Sequence, residues 1–246
     1  MIGLNTATFR HLSVDDILKL MEKNDLRAIE WAGDAHVPLG DLEIAEKVAK
    51  KSQEYGISYT SYGSYLFLAE DNNFSQLIAT ALALNATNIR VWAGKYATAD
   101  ASEDYRHKVV LAAKELAKLC QKAGLNLGIE YHQGTLTDSP ENAQKLIQAI
   151  ACDNVYLYWQ PAENLTVDQR THSLDDLLPY VSNVHVFQWE DYHNRFSLAE
   201  GENEWLGYLN LLKTSPRNYF LEFVKDDSVD QFEADVDTLK EWKENL

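Results

Sequence analysis

Short apolar runs alternate with amphipathic stretches eight times in this chain, and that alternation limits what it can fold into more than any other feature. The apolar runs fall at residues 2–5, 26–31, 57–62, 88–92, 125–130, 154–159, 183–187 and 219–224. Runs of this length, rich in β-branched and aromatic residues, predict buried strands. Helix signals punctuate them. Ser13 precedes VDDILKLMEKN, with Asp15 and Asp16 set to favour the helix dipole. A helix over Leu42–Tyr55 stops at Gly56, and others are predicted over Phe74–Leu84 and up to Gly124. Ser139-Pro140-Glu141 opens a helix to Ile150, SLDDLLPY forms a short one, and Trp205–Lys213 and Val229–Lys243 complete the set. Strict alternation implies a parallel sheet. Eight units in 246 residues imply an α/β fold of one kind, a closed (β/α)8 TIM barrel. No linker or shift in composition divides the chain, so residues 1–246 are expected to form one domain. The turn after the first strand, TATFRHLS, lacks the glycines of a nucleotide-binding crevice, which argues against an open doubly wound sheet.

A barrel gathers the C-terminal ends of its strands around one pocket. Those ends carry Glu30 with His36, Tyr62, Arg90 with Trp92, Glu130 with His132, Gln160, His185 with Gln188, and Glu222 with Lys225. Four come from consecutive strands: Glu130, Gln160, His185 and Glu222. Adjacent strands lie about 4.8 Å apart, so these four can reach one ion. Two carboxylates, an amide oxygen and an imidazole suit a divalent metal such as Mn, Mg, Co or Zn. Each residue also has a plain structural reading. A strand-end glutamate commonly pairs with a cation, His185 between two valines can serve the core, and Gln160 before Pro161 can turn the chain. The set of four on neighbouring strands outweighs those separate readings.

Composition narrows the partners. A formal net charge of −16 repels phosphate backbones, and the lysine groups 47/50/51 and 114/118/122 fall at helical spacing, so no nucleic acid is expected. Cys120 and Cys152 are isolated, MIGLNTATFRHL does not resemble a signal peptide, and no apolar run approaches the ~18 residues of a membrane span. These features predict a cytoplasmic protein without a membrane partner. Self-association into a homo-oligomer is left open.

The local strings IEWAGDAHVP, IRVWAG, IEYHQGTLTD, YWQP, NVHVFQW and LEFVKDD occur in order along essentially the whole chain. Together they resemble the xylose isomerase-like barrel superfamily, in its sugar phosphate isomerase/epimerase branch. The resemblance implies a divalent metal on Glu130, Gln160, His185 and Glu222, with Glu130 and Glu222 also acting as the acid–base pair. Where sugar epimerases of the superfamily usually carry an aspartate on strand six, this chain has Gln160. Near the end of strand seven, where they tend to carry an acid, it has Gln188, and the nearest following arginine is Arg195.

The activity so implied is isomerisation or epimerisation of a sugar or sugar phosphate through an enediolate. His132 would contact substrate oxygens or orient Glu130, and His36 with Asp34 would contact substrate or brace a loop. Trp31, Tyr62, Trp92, Trp159 and Trp189 supply an aromatic rim that suits a carbohydrate. Arg195 and Lys225 would take a phosphate or carboxylate, and Arg90 would pair with Glu30 or Glu130. Two rivals share the residues: a dehydratase acting on a cyclitol or dehydroshikimate-like ring, and a non-catalytic carbohydrate-binding barrel. A third, an abasic-site endonuclease, fits poorly with the acidic surface and scattered histidines.

Overall fold

The alternation is realised as a closed parallel barrel in the computed structural model, which describes residues 1–70, 73–163 and 165–246. Among these residues the strands are β1 (Ile2–Asn5), β2 (Ala28–Ala32), β3 (Tyr59–Phe67), β4 (Asn88–Trp92), β5 (Asn126–Glu130), β6 (Val155–Trp159) and β7 (Val181–Val186). A small hairpin, β8 (Gln188–Trp189) and β9 (Arg195–Phe196), follows, and β10 (Asn218–Leu221) is the eighth barrel strand. The ring runs β1-β10-β7-β6-β5-β4-β3-β2 and closes through Ile2↔Tyr219, Gly3↔Phe220 and Leu4↔Leu221.

Helices α1 (Val14–Lys23), α2 (Leu42–Glu54), α3 (Phe74–Ala83), α4 (Glu103–Lys122), α5 (Pro140–Ile150), α6 (Val167–Leu177), α7 (Glu202–Leu212) and α8 (Val229–Glu244) follow the barrel strands in turn. Their starts are set by side-chain caps: Ser13 accepts from Asp16 N, Ser102 from Tyr105 N and Ser139 from Asn142 N. Gly56, just past α2, has φ +72°, the left-handed turn expected of it.

Some boundaries depart from expectation for identifiable reasons. Helix α6 starts at Val167 rather than near Ser173, because Thr166 and Gln169 form a reciprocal capping box. Strand β3 runs on to Phe67, five residues beyond the expected Tyr62. Gly63 permits this extension: a Cβ there would lie 2.9 Å from Arg90 Nη2 and 3.1 Å from Glu30 Oε1. Strand β10 stops at Leu221 because Phe223 turns to φ +45°. The hairpin of β8 and β9 occupies what the sequence suggests is a plain polar loop.

Side chains alternate across each strand, one set into the barrel and one toward the helices. The lower interior is neutral. Tyr158 OH lies 2.7 Å from Ser61 Oγ and accepts from Asn88 Nδ2 at 2.7 Å. Its ring stacks on Phe220, with Ala28 beside them. Gly128 makes room for this ring, since a Cβ there would fall 2.3 Å from Tyr158 Cε2. The main hydrophobic core lies between barrel and helices, around Trp31, Ile89, Leu116, Trp159 and Trp205. No described helix is long and apolar enough to cross a membrane.

Candidate active site

One residue-pair above the neutral layer, the interior becomes charged. Glu30, Arg90 and His185 are at most 2% exposed, and Glu130 and Glu222 are 4% exposed. Asn5, at the end of β1, ties two of the acids together, donating to Glu30 Oε1 at 3.0 Å and to Glu222 Oε1 at 2.8 Å. Its own side-chain oxygen is fixed by Ala7 N at 3.0 Å. Arg90 donates from Nε to Glu30 Oε1 at 2.8 Å and from Nη1 to Glu130 Oε2. The same Glu130 oxygen also accepts from Trp92 Nε1. Ser61 Oγ completes Glu30 at 3.1 Å.

Of the four proposed metal ligands, the other three converge on His185 Nδ1. Glu222 Oε2 lies 3.2 Å from that nitrogen, Gln160 Oε1 3.4 Å and Glu130 Oε1 3.6 Å. Gln160 presents its oxygen inward because its nitrogen donates to Tyr131 O at 3.1 Å. The backbone positions Glu222, whose N–H donates to Val186 O at 3.0 Å.

Burial and charge set the protonation states. Burial alone would raise the Glu30 and Glu130 carboxyls, but Arg90 overrides it and holds both below the usual carboxylate range. Glu222 has no such partner. Burial raises it, and repulsion from Glu130 adds to that, with His185 offsetting only part. For His185 burial works against the charged form, yet Glu222, Glu130 and Glu30 push its imidazole up to about 10. Three carboxylates facing one guanidinium leave the pocket short of positive charge when the imidazole is neutral.

Glu222 Oε2 is buried without a hydrogen-bond partner. The three distances from His185 Nδ1 bracket the edge of about 3.4 Å expected for a tetrahedron with metal–ligand bonds near 2.1 Å. Both features, and the charge deficit, fit a cation. Glu130, however, is already committed to Arg90 and Trp92. Among the described residues no group of three or more His, Cys, Asp or Glu side chains stands ready to hold a metal ion, so the set is complete only with the amide oxygen of Gln160.

Above the cluster lies a cavity of about 360 Å³. Arg90, Glu130, Gln160 and Glu222 line its lower part, and aromatic rings form two walls. On one side Trp92 packs on Tyr65, Phe67 and His132, with centroids 5.4, 4.4 and 5.5 Å away. On the other, Trp189 stacks on Phe223 at 5.3 Å with planes 10° apart, and Tyr192 meets Phe223 at 5.6 Å. Arg10 and Glu163 complete the lining.

Several sequence candidates lie elsewhere. Trp31 and Tyr62 each neighbour an inward residue, Glu30 and Ser61, so alternation turns them to the helix side, where both join the hydrophobic core. Tyr62 OH donates to Val37 O at 3.0 Å. His36 braces the loop after β2: Nδ1 lies 3.0 Å from Thr6 Oγ1, Nε2 lies 3.2 Å from Leu12 O, and burial lowers its pKa. Trp159 is also core, with Nε1 on Ser173 Oγ at 3.3 Å. Arg195 pairs with Asp227 at 2.8 Å and lies over the rings of Tyr192 and Phe223, behind the wall rather than in the cavity lining. Lys225 does not line the cavity either. His132, Trp92 and Trp189 do.

Sequence reasoning missed Asn5, Arg10, Tyr65 and Phe223. Asn5 was within reach, being a polar residue at the end of the one strand left without a site candidate. Tyr65 and Phe223 sit at φ +57° and +45°, conformations that no local motif announces.

Comparison with known proteins agrees with this architecture. Residues 18–242 match the family model of the xylose isomerase-like TIM barrel. A 3-dehydroshikimate dehydratase from Bacillus anthracis is 24% identical over 200 residues, covering 74% of this chain and 70% of the relative. The crystal structure of a probable 3-DHS dehydratase involved in petrobactin synthesis, also from Bacillus anthracis, is similar at a TM-score of 0.78 and 19% identity, over 97% of this chain and 98% of that one. D-psicose 3-epimerase from Clostridium cellulolyticum H10, solved with D-tagatose, gives 0.74 and 11% identity, over 100% and 98%. The IOLI protein, solved with a zinc atom, gives 0.75 and 16%, over 99% and 96%. The chain belongs to the xylose isomerase-like TIM barrel family.

Proposed function

We propose that this protein is a metal-dependent lyase that removes water from a hydroxylated carbonyl compound of the 3-dehydroshikimate type. The observation that carries the reading is the convergence of Glu130, Gln160, His185 and Glu222 at the floor of an aromatic-walled cavity. Those four residues would hold the ion. When bound, it would polarise the substrate carbonyl and make the adjacent carbon more acidic. Glu130 and Glu222 enter from strands on either side of His185, and one of them serves as the base while both would hold the ion. One carboxylate takes the proton from the carbon beside the carbonyl, the electron pair closes a C=C bond, and the hydroxyl on the next carbon takes a proton from an acid on the cavity wall and departs as water. Arg90 and Asn5 keep the carboxylates apart and oriented, and the aromatic walls fit the faces of a six-membered ring. The similarity to a dehydratase extends to sequence, and this favours elimination.

Epimerisation of a ketose is the second reading, favoured by the same flanking of His185 by two carboxylates. It also matches the named epimerase of similar fold. In that case the second carboxylate returns a proton to the opposite face and no bond to oxygen breaks.

One experiment separates them. Purified protein is incubated in D2O with Mn, Mg, Co or Zn and with 3-dehydroshikimate, D-fructose or D-psicose, and products are followed by NMR. Dehydroshikimate converted to a dihydroxybenzoate supports the lyase. Interconversion of the ketoses with deuterium uptake supports the epimerase. A protein that binds divalent metal stoichiometrically yet leaves all three substrates unexchanged rules out both.

A further inference from the structure

Two cavity-lining residues hold a left-handed backbone conformation without being glycine: Tyr65 and Phe223. For side chains of this size the conformation costs about 1–2 kcal/mol each. At Tyr65 it coincides with a shift in the β3–β4 register between Gly63 and Phe67. A bulge of this kind re-aims a side chain, and here it directs the phenol over the charged floor. Its ring lies above Arg90, with the guanidinium carbon 5.4 Å from the centroid.

The hydroxyl is engaged on one side only. Arg10 Nη2 donates to it at 2.8 Å, using an acceptor lone pair. Arg10 is itself fixed, Nε donating to Asp34 Oδ2 at 2.9 Å and Nη1 to Ala7 O at 2.8 Å. Among the described residues nothing accepts the hydroxyl hydrogen of Tyr65. A phenol proton therefore lines the cavity with no protein acceptor among the described residues, backed by a guanidinium that offsets part of what burial costs the phenolate.

We propose that Tyr65 is a catalytic residue, the general acid that delivers a proton to the departing substrate hydroxyl, with Arg10 as its positioning residue. The inference rests on the water-elimination reading above. In the step, the C–O bond of the substrate breaks and its electron pair leaves with the oxygen. The Tyr65 O–H bond breaks as a new O–H bond forms on that oxygen, and water departs. Arg10 and Arg90 stabilise the transient phenolate, which regains a proton from solvent. The tyrosine takes no part in removing the proton from carbon, so loss of its hydroxyl should separate the two halves of the reaction.

The test compares wild type with Tyr65→Phe in D2O, using metal-loaded protein and 3-dehydroshikimate, and following deuterium uptake at the carbon beside the carbonyl together with release of the aromatic product. Tyr65→Phe keeps the ring and the same backbone demand, and equal melting temperatures check that the fold is unchanged. The expected result is a fall in product release of about 100-fold or more, with carbon exchange retained within a few-fold. Arg10→Gln is expected to show a smaller loss of the same kind. Normal product release by Tyr65→Phe overturns the role, and so does an equal loss of exchange and release, which would mark a merely structural tyrosine. A wild type that neither exchanges nor releases product defeats the elimination reading itself, and the role of Tyr65 with it.

Discussion

Two residues along each strand separate the neutral layer of the barrel interior from the charged one: Ala28 from Glu30, Asn88 from Arg90, Gly128 from Glu130, Asn183 from His185 and Phe220 from Glu222. In the lower layer every group finds a neutral partner. Tyr158 bridges Ser61 and Asn88, and Asn218 donates to Asn183 at 2.9 Å. In the upper layer one arginine pairs with two of three acids, one oxygen of the third is left without a hydrogen bond, and the imidazole is driven toward its charged form. The residues of both layers are almost wholly buried, so burial alone does not account for the difference. The difference is completeness. The lower layer is a finished plug, whereas the upper one is short of positive charge.

That contrast is open to direct attack. The largest effect is expected at Glu222→Gln and Glu130→Gln, each lowering turnover by about 1,000-fold while circular dichroism stays native. Near-normal activity in either variant would remove the chemical distinction between the layers. Arg90→Met comes next. It leaves Glu30 and Glu130 buried without their shared cation, and urea denaturation should show a loss of about 3–5 kcal/mol.

A buried carboxylate outside both layers provides the control. Asp235 is held by neutral donors, Leu198 N at 2.9 Å and Gln231 Nε2 at 2.8 Å, and burial raises its pKa to about 6. A raised carboxyl binds its proton more tightly in the folded state. Wild type therefore loses stability as pH rises from about 4 to about 6. Asp235→Asn should be more stable than wild type by about 2–3 kcal/mol at pH 8 and equal to it at pH 4. An equal gain at both pH values would show that burial of the charge is not the cause. The smallest effect belongs to the neutral layer. Tyr158→Phe removes one bridging hydroxyl and should cost about 1–2 kcal/mol with turnover unchanged, as thermal melts and the same assay would show.

The parts of this picture that were legible in the sequence are those governed by period and position. Eight apolar runs and their caps announce the barrel, and the last polar residue of four successive strands announces Glu130, Gln160, His185 and Glu222. Period-two alternation, applied strictly, would also have turned Trp31 and Tyr62 away from the pocket and brought Asn5 in. The remainder depended on tertiary context. Tyr65 reaches the cavity only because β3 bulges after Gly63. Arg10 matters only because the chain after β1 folds back toward β3. Arg195, which looks like an anion site in sequence, is occupied by Asp227 and two aromatic rings. Contacts of that kind join residues tens of positions apart and leave no local pattern.

The hydrogen bond from Gln160 Nε2 to Tyr131 O bears on how this site could change. Exchanging the amide for a carboxylate by Gln160→Glu would put a second oxygen where the nitrogen now donates, 3.1 Å from a carbonyl oxygen that has lost its donor. The two lone-pair surfaces would repel, and the acid would have to rotate away or take up a proton. Conversion of the amide to a glutamate therefore carries a cost at the Tyr131 carbonyl, which would lose its donor. The backbone carbonyl thus selects an amide over a glutamate at this position, and it is a selector that no side-chain substitution removes.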